Sequence, residues 1–173
     1  MLNEKLVNAL NEQVNAEYYS AYLYHAMSAC METAGLKGTA NWLFNQAKEE
    51  MAHGVNMYQY ILDRGAIPEL KQITQPPSVF KDIEAIFDMV LEHEKKVTAL
   101  INDIATLALQ HNDHACYQFI SWYVNEQVEE ESNASDILSK IKLIGNDKGL
   151  LLALDNELAT RVYTNPFPNN PKL

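Results

Sequence analysis

The feature that most constrains the fold is a set of four long segments in which core-type residues recur at alternating steps of three and four. This spacing puts them on one stripe of an α-helix, facing partner helices. The segments run over about residues 3–33, 38–64, 82–110 and 114–144. Four such helices in one chain predict an all-α protein built as a four-helix bundle.

The connections predict the topology. Residues 34–37 and 111–113 are short enough to force the helices on either side to be antiparallel neighbours. Residues 65–81 contain three prolines and cannot be helical in their middle. About 17 extended residues reach at most ~58 Å, whereas a helix of about 28 residues is ~42 Å long. A long crossover can therefore make the second and third helices parallel.

A shorter element follows the bundle. After two glycines, a fifth helix is predicted over Leu150–Arg161, followed by a proline-containing tail over Val162–Leu173. With 173 residues, the chain fits one domain. We expect residues 1–145 to form the bundle, and residues 146–173 to be the fifth helix and C-terminal tail of the same domain.

Charge and hydropathy exclude several functions. The chain has 23 acidic and 13 basic residues and a net charge of −10, which disfavours nucleic acid and anionic lipid as partners. It begins without a signal-peptide pattern and has no apolar run of about 18 residues, so we expect a cytoplasmic protein. Cys30 and Cys116 are expected to be buried small hydrophobes in a reducing compartment.

Polar residues interrupt the four stripes near their midpoints. The titratable ones are Glu17, Glu50, His53, Glu94 and Glu130. In a bundle of near-equal helices the midpoints lie at one level, so these side chains should converge in one layer of the core. Four buried carboxylates without Lys or Arg on any stripe would cost several kcal/mol each. Two divalent cations would balance their charge.

The donor types suggest which cations. Bridging carboxylates with one imidazole suit iron or manganese, with zinc as a competitor, and we expect a di-iron centre. The alternative is that each acid is a surface residue on a helix whose rotation is misjudged; agreement in depth among four helices argues against it. His53 follows Glu50 as Glu-x-x-His, on one helix face. Tyr24 is either core packing or a redox or hydrogen-bonding group beside the metals.

These motifs resemble those of the bacterial non-haem ferritins over nearly the whole chain. The match includes Glu17, Tyr24, Glu94, Trp122 and the runs at 49–53 and 126–130. The resemblance implies one iron bound by Glu17, Glu50 and His53, and a second by Glu50, Glu94 and Glu130, with Gln127 beside the second iron and the dioxygen site. It further implies that Glu49, Glu126 and Glu129, otherwise a solvated acidic face, form a third iron site.

One departure bears on function. Gln127-x-x-Glu130 stands where many di-iron relatives carry Glu-x-x-His, which predicts weaker binding of the second iron and passage toward storage. The resemblance thus implies a ferroxidase and iron store that oxidises Fe(II) to Fe(III) with dioxygen and mineralises it in a shell of twenty-four subunits, without haem.

Three alternatives remain open at this point: a haem-containing bacterioferritin, a di-iron oxidase or peroxidase that stores no iron, and a non-catalytic helical assembly protein. Met51 is weak support for the first, because haem-binding bacterioferritins carry their haem ligand there and non-haem ferritins also have Met.

Overall fold

The computed structural model describes residues 2–170, and within that range the chain forms five helices and no strand. Pro171 and the end of the predicted tail lie outside the described residues. The helices, in chain order, are α1 (Glu4–Thr33), α2 (Lys37–Asp63), α3 (Ile83–Gln110), α4 (His114–Ile144) and α5 (Lys148–Leu158).

The first four helices form the predicted bundle, and two apolar clusters show how they are oriented. One cluster joins Met31 of α1 with Ala40 of α2, near the loop between them, and with Ile83 at the start of α3. The other joins Leu6 at the start of α1 with Ile61 near the end of α2 and with Ile104 of α3. Helices α2 and α3 are therefore parallel, and the crossover over 64–82 spans the length of the bundle.

The predicted stripes are the core. Their residues are buried from Leu6 to Met31 on α1, from Leu43 to Met57 on α2, from Ile83 to Ala108 on α3 and from Cys116 to Ile141 on α4. Tyr60 and Ile144, at the ends of the stripes of α2 and α4, are half-buried. Cys116 is buried as expected, but Cys30 is only partly buried because it lies beside the main stripe of α1.

Side chains of Asn and Asp begin four of the five helices. Asn3, Asp82, Asp113 and Asp147 each accept a hydrogen bond from a backbone N–H in the first turn of the helix that follows. Helix α2 has Leu36 at its N-cap position and so lacks such a cap. Its cap comes from α5: the Asp155 carboxylate accepts bonds from the Gly38 and Thr39 N–H groups at 3.0 and 2.7 Å.

This cap docks α5 against α2. The two helices approach so closely that a Cβ at Gly38 would lie 1.7 Å from the Asp155 carbonyl oxygen. The predicted bounds of the fifth helix were wrong at both ends. Asp147 starts it two residues early, and it stops at Leu158 because the Asn41 amide binds the carbonyl oxygens of Ala159 and Arg161 at 3.2 and 2.9 Å.

No helix among residues 2–170 is long and apolar enough to cross a membrane.

Candidate metal centre

A polar layer lies between the two apolar clusters, at the level that the sequence predicts. The residues expected in this layer are all buried: Glu17, Tyr24, Glu50, His53, Glu94, Gln127 and Glu130. None is more than 5% exposed. The helix rotations inferred from the stripes are therefore correct, which removes the alternative that these acids are surface residues.

One half of the layer is a compact group on the α1–α2 hairpin. His53 Nδ1 lies 3.4 Å from Glu50 Oε2 and 4.0 Å from Glu17 Oε2. One possible ligand atom from each of the three residues lies within 4.8 Å of the other two, a spacing that suits one metal ion.

Two glutamines orient the carboxylates of this group. Gln13 donates to Glu17 Oε1 at 2.8 Å, and Gln46 donates to Glu50 Oε1 at 2.9 Å. Glu17 Oε2 has no hydrogen-bond partner, although it is buried. A carboxylate oxygen buried without a donor is costly unless it carries a proton or binds a cation, so the donor set fits a cation that replaces that proton.

The other half of the layer is arranged differently. Tyr24 O–H donates to Glu94 Oε1, and Gln127 Nε2 donates to Glu94 Oε2 at 3.1 Å and to its carbonyl oxygen at 3.3 Å. Gln46 donates to Glu130 Oε1 at 2.7 Å. Both oxygens of Glu94 are thus engaged, and the predicted trio of Glu50, Glu94 and Glu130 is not drawn into a group as compact as the first.

The electrostatics of the layer favour cations. Burial, reinforced by the charge of Glu50, raises the pKa of Glu17 and Glu130 well above the usual range and that of Glu94 to about 8. Burial is the largest influence on His53 and Glu50 and opposes their charging, but their mutual hydrogen bond and the attraction of nearby opposite charges together outweigh it. The pKa of His53 therefore rises to about 10 and that of Glu50 falls. Without metal, these shifts favour an ion pair between His53 and Glu50 and the protonated forms of Glu17, Glu94 and Glu130.

Tyr24 combines the two roles that the sequence left open. Its ring is fully buried in the core, and its hydroxyl contacts the metal layer through Glu94. Burial, followed by the charge of Glu94, raises its pKa well above the ordinary value. The hydroxyl therefore remains a donor that holds Glu94.

Glu49, Glu126 and Glu129, the residues of the predicted third iron site, are only partly brought together. Glu49, His53 and Glu126 form a second compact group of possible ligand atoms, in which the two acids are half-buried. Glu129 is exposed and lines a separate surface groove with Asp136 and Lys140. Glu49 also forms an ion pair with Arg161, at 2.5 Å.

The sequence interpretation missed several functional contacts. Gln13 and Gln46 each lie four residues before a carboxylate they orient, and this repeated Gln-x-x-x-Glu spacing was a signal. Tyr123, whose hydroxyl donates to the His53 carbonyl oxygen at 3.0 Å, was not among the predicted site residues. For Arg161 no local pattern indicated a role, because its partner lies more than one hundred residues away.

A four-helix bundle with a buried layer of carboxylates and one histidine defines a class of metal-binding helical proteins. Comparison with known families agrees: the family model described as a Ferritin-like domain matches residues 7–144, and the chain belongs to this family.

Individual relatives in sequence and in structure are named as ferritins. Over 163 residues the chain is 39% identical to a bacterial non-heme ferritin of Staphylococcus haemolyticus, covering 94% of this chain and 98% of that protein. The corresponding protein of Staphylococcus aureus is 37% identical over the same coverage. An open-pore ferritin of the archaeon Archaeoglobus fulgidus superposes with a TM-score of 0.92 at 46% identity, covering 94% of this chain and 99% of that one.

Proposed function

We propose that this protein stores iron and oxidises Fe(II) with dioxygen at the buried carboxylate layer. The observation that carries the proposal is the group formed by Glu17, Glu50 and His53, in which Glu17 Oε2 is buried without a hydrogen-bond donor. Membership of the ferritin-like family supports the same function.

The residues have distinct roles in this proposal. Glu17, Glu50 and His53 hold the first iron, which fits their spacing without rearrangement. Glu50, Glu94 and Glu130 hold the second, with Gln127 beside it. Because Tyr24 and Gln127 each donate to one oxygen of Glu94, the second ion shares that carboxylate with two hydrogen bonds and should bind more weakly.

Proton exchange accompanies binding. Carboxyls whose pKa burial has raised, together with protonated His53, must lose protons before they act as ligands. Each cation therefore replaces protons, and the layer holds similar charge with or without metal. The chain supplies geometry and charge, whereas iron and dioxygen supply the redox chemistry.

Storage requires more than a dinuclear site. We propose that oxidised iron moves past Glu49 and Glu126 as an oxyhydroxide mineral precursor, into a cavity enclosed by twenty-four copies of the chain in the cytoplasm. The net charge of −10 favours accumulation of cations, and relatives named as ferritins support an assembly of this kind.

The test is anaerobic Fe(II) titration of the assembled protein followed by exposure to oxygen. We expect oxygen uptake and retention of far more than two irons per chain in a large particle. Substituting Glu50→Ala or His53→Ala should abolish the fast oxidation, whereas Glu92→Gln, on the exposed face of α3, should not. Retention of two irons or fewer would mean a di-iron enzyme without storage, and unchanged rates in both site variants would refute the site.

The absence of haem stays a prediction. Met51, the residue that bears on it, is 43% exposed on the outer face of α2, away from the polar layer. A haem absorption band in the purified, reduced protein at one per two chains would favour a bacterioferritin instead.

A further inference from the structure

The chain beyond α5 folds back along α2 as a strap, which we define as residues 159–170. Asn41 Nδ2 donates to the carbonyl oxygens of Ala159 and Arg161, and Asn45 Nδ2 donates to that of Arg161 at 3.1 Å. Two amides on successive turns of α2 thus fix the backbone of the strap at Arg161.

The Arg161 side chain is held as firmly as its backbone. Its guanidinium donates to Glu49 Oε2 at 2.5 Å and lies 4.5 Å from the centre of the Trp42 ring. Only about a fifth of either charged side chain is exposed, 21% for Arg161 and 19% for Glu49. A charged pair so sheltered, with the cation over an aromatic face, is stronger than an ordinary surface ion pair.

Further along, the strap covers His53. The Phe167 ring packs edge-on against Trp122 at 4.6 Å and against His53 at 6.0 Å between ring centres. Asn170 Nδ2 then donates to Asn56 Oδ1 of α2 at 3.3 Å. The strap therefore passes over the side of the metal centre where Glu49, His53 and Glu126 form their group.

We call Glu49, His53 and Glu126 the outer group. A purely structural role does not account for its contacts, because one buried polar atom in it has no hydrogen-bond partner. His53 is 1% exposed, and its Nε2 atom has no hydrogen-bond partner. Glu49 is shared, because it belongs to the group and pairs with Arg161. A guanidinium is always protonated at physiological pH, so a metal ion at the group faces a fixed positive charge on the same carboxylate.

We propose that Arg161 is a gating residue that competes with metal for Glu49, so that the strap opens when a cation occupies the group of Glu49, His53 and Glu126. The inference rests on the proposed function, because it assumes that cations pass this point. Since coupling between two sites is reciprocal, metal weakens the docking of the strap by the same factor by which the docked strap weakens metal binding.

Zn(II) is a suitable probe because it has no redox chemistry, and calorimetric titration of the assembled, metal-free protein resolves tight and weak sites. In Arg161→Gln the affinity of the outer site should rise on the order of tenfold, the size expected for a sheltered ion pair. Arg161→Lys, which keeps the charge, should stay near wild type. Lys140→Gln breaks the exposed pair with Glu157 and is the control for lost positive charge.

Hydrogen exchange of the wild-type protein supplies a second readout that does not depend on the variants. Zn(II) at a concentration that fills the outer site should speed exchange within 159–170 and leave the middle of α3 unchanged. The proposal that Arg161 is a gating residue would be refuted if Zn(II) left hydrogen exchange within 159–170 unchanged. It would also be refuted if the outer site bound Zn(II) with equal affinity in wild type and in Arg161→Gln.

The two proposals fail in different ways. If the outer site responds to Arg161→Gln but Glu50→Ala leaves all tight Zn(II) binding intact, the dinuclear site is wrong and the gate stands. If Glu50→Ala abolishes tight binding but Arg161→Gln changes nothing, the dinuclear site stands and the gate is wrong.

Discussion

Substituting Glu94→Gln should stabilise the metal-free protein at alkaline pH. Glu94 is 2% exposed, and burial followed by the charge of Glu50 raises its pKa from the ordinary 4.5 to about 8. The folded state thus binds the proton more tightly than the unfolded state does. Stability is therefore full below about pH 4.5 and falls as pH rises toward 8.

The size of the stability change follows from the difference between the pKa of Glu94 in the folded state and its ordinary value. A tenfold difference in proton affinity corresponds to ~1.4 kcal/mol, so Glu94 lowers the free energy of unfolding by ~5 kcal/mol above pH 8. Between about pH 5.5 and pH 8.5 the loss is ~3 kcal/mol. A glutamine does not ionise and keeps an oxygen that accepts the Tyr24 hydroxyl, so this part of the pH dependence should vanish.

Urea unfolding at both pH values, with a chelator and at matched protein concentration, measures the difference. Glu92→Gln on the exposed face of the same helix is the control and should change stability by no more than about 0.5 kcal/mol. The same drop in stability between the two pH values for Glu94→Gln as for wild type would refute the reasoning. Excess Zn(II) should stabilise wild type more than Glu94→Gln, since the stability that a ligand adds to the folded state grows with the logarithm of its affinity.

Two further substitutions test the packing that positions the site. Asp155→Ala removes the cap that α5 supplies to α2 and should cost about 1–2 kcal/mol, with faster hydrogen exchange throughout 148–170; unchanged exchange would show that α5 docks by other contacts. Gly54→Ala would put a Cβ 2.5 Å from the Tyr18 ring and should cost about 1–3 kcal/mol, measured by thermal unfolding; no loss would mean that α1 and α2 are less tightly packed beside His53.

Residues with strong periodicity were predictable from the sequence. Each stripe has one repeated spacing, and burial of that stripe is the main source of stability in a bundle. Glu17, Glu50 and Glu94 were recognised because each interrupts such a stripe at a similar depth, and depth along a helix follows from a fixed rise per residue.

Contacts made by residues outside the periodic stripes were not predictable from the sequence. Arg161 reaches Glu49 only because Asp155 docks α5 on α2 and Asn41 turns the chain at Ala159. Each step is a single hydrogen-bonding side chain, and none leaves a repeating pattern. The fifth helix was misplaced for the same reason, since its bounds depend on Asp147 and on contacts with α2 and not on an apolar stripe.

The two halves of the layer differ because they are built by different helix pairs. Glu17, Glu50 and His53 come from one hairpin, and Gln13 and Gln46 of the same hairpin orient them, so this half is preformed.

The second half needs Glu50 from one hairpin and Glu94 and Glu130 from the other. Gln46 joins the two sides through Glu50 and Glu130, and Tyr24 of the first hairpin donates to Glu94 of the second. In the proposed function, a second ion therefore shares the Glu94 carboxylate with the hydrogen bonds from Tyr24 and Gln127. If the second iron binds more weakly, as the Gln127-x-x-Glu130 spacing predicts, the way Glu94 is held would be the structural cause.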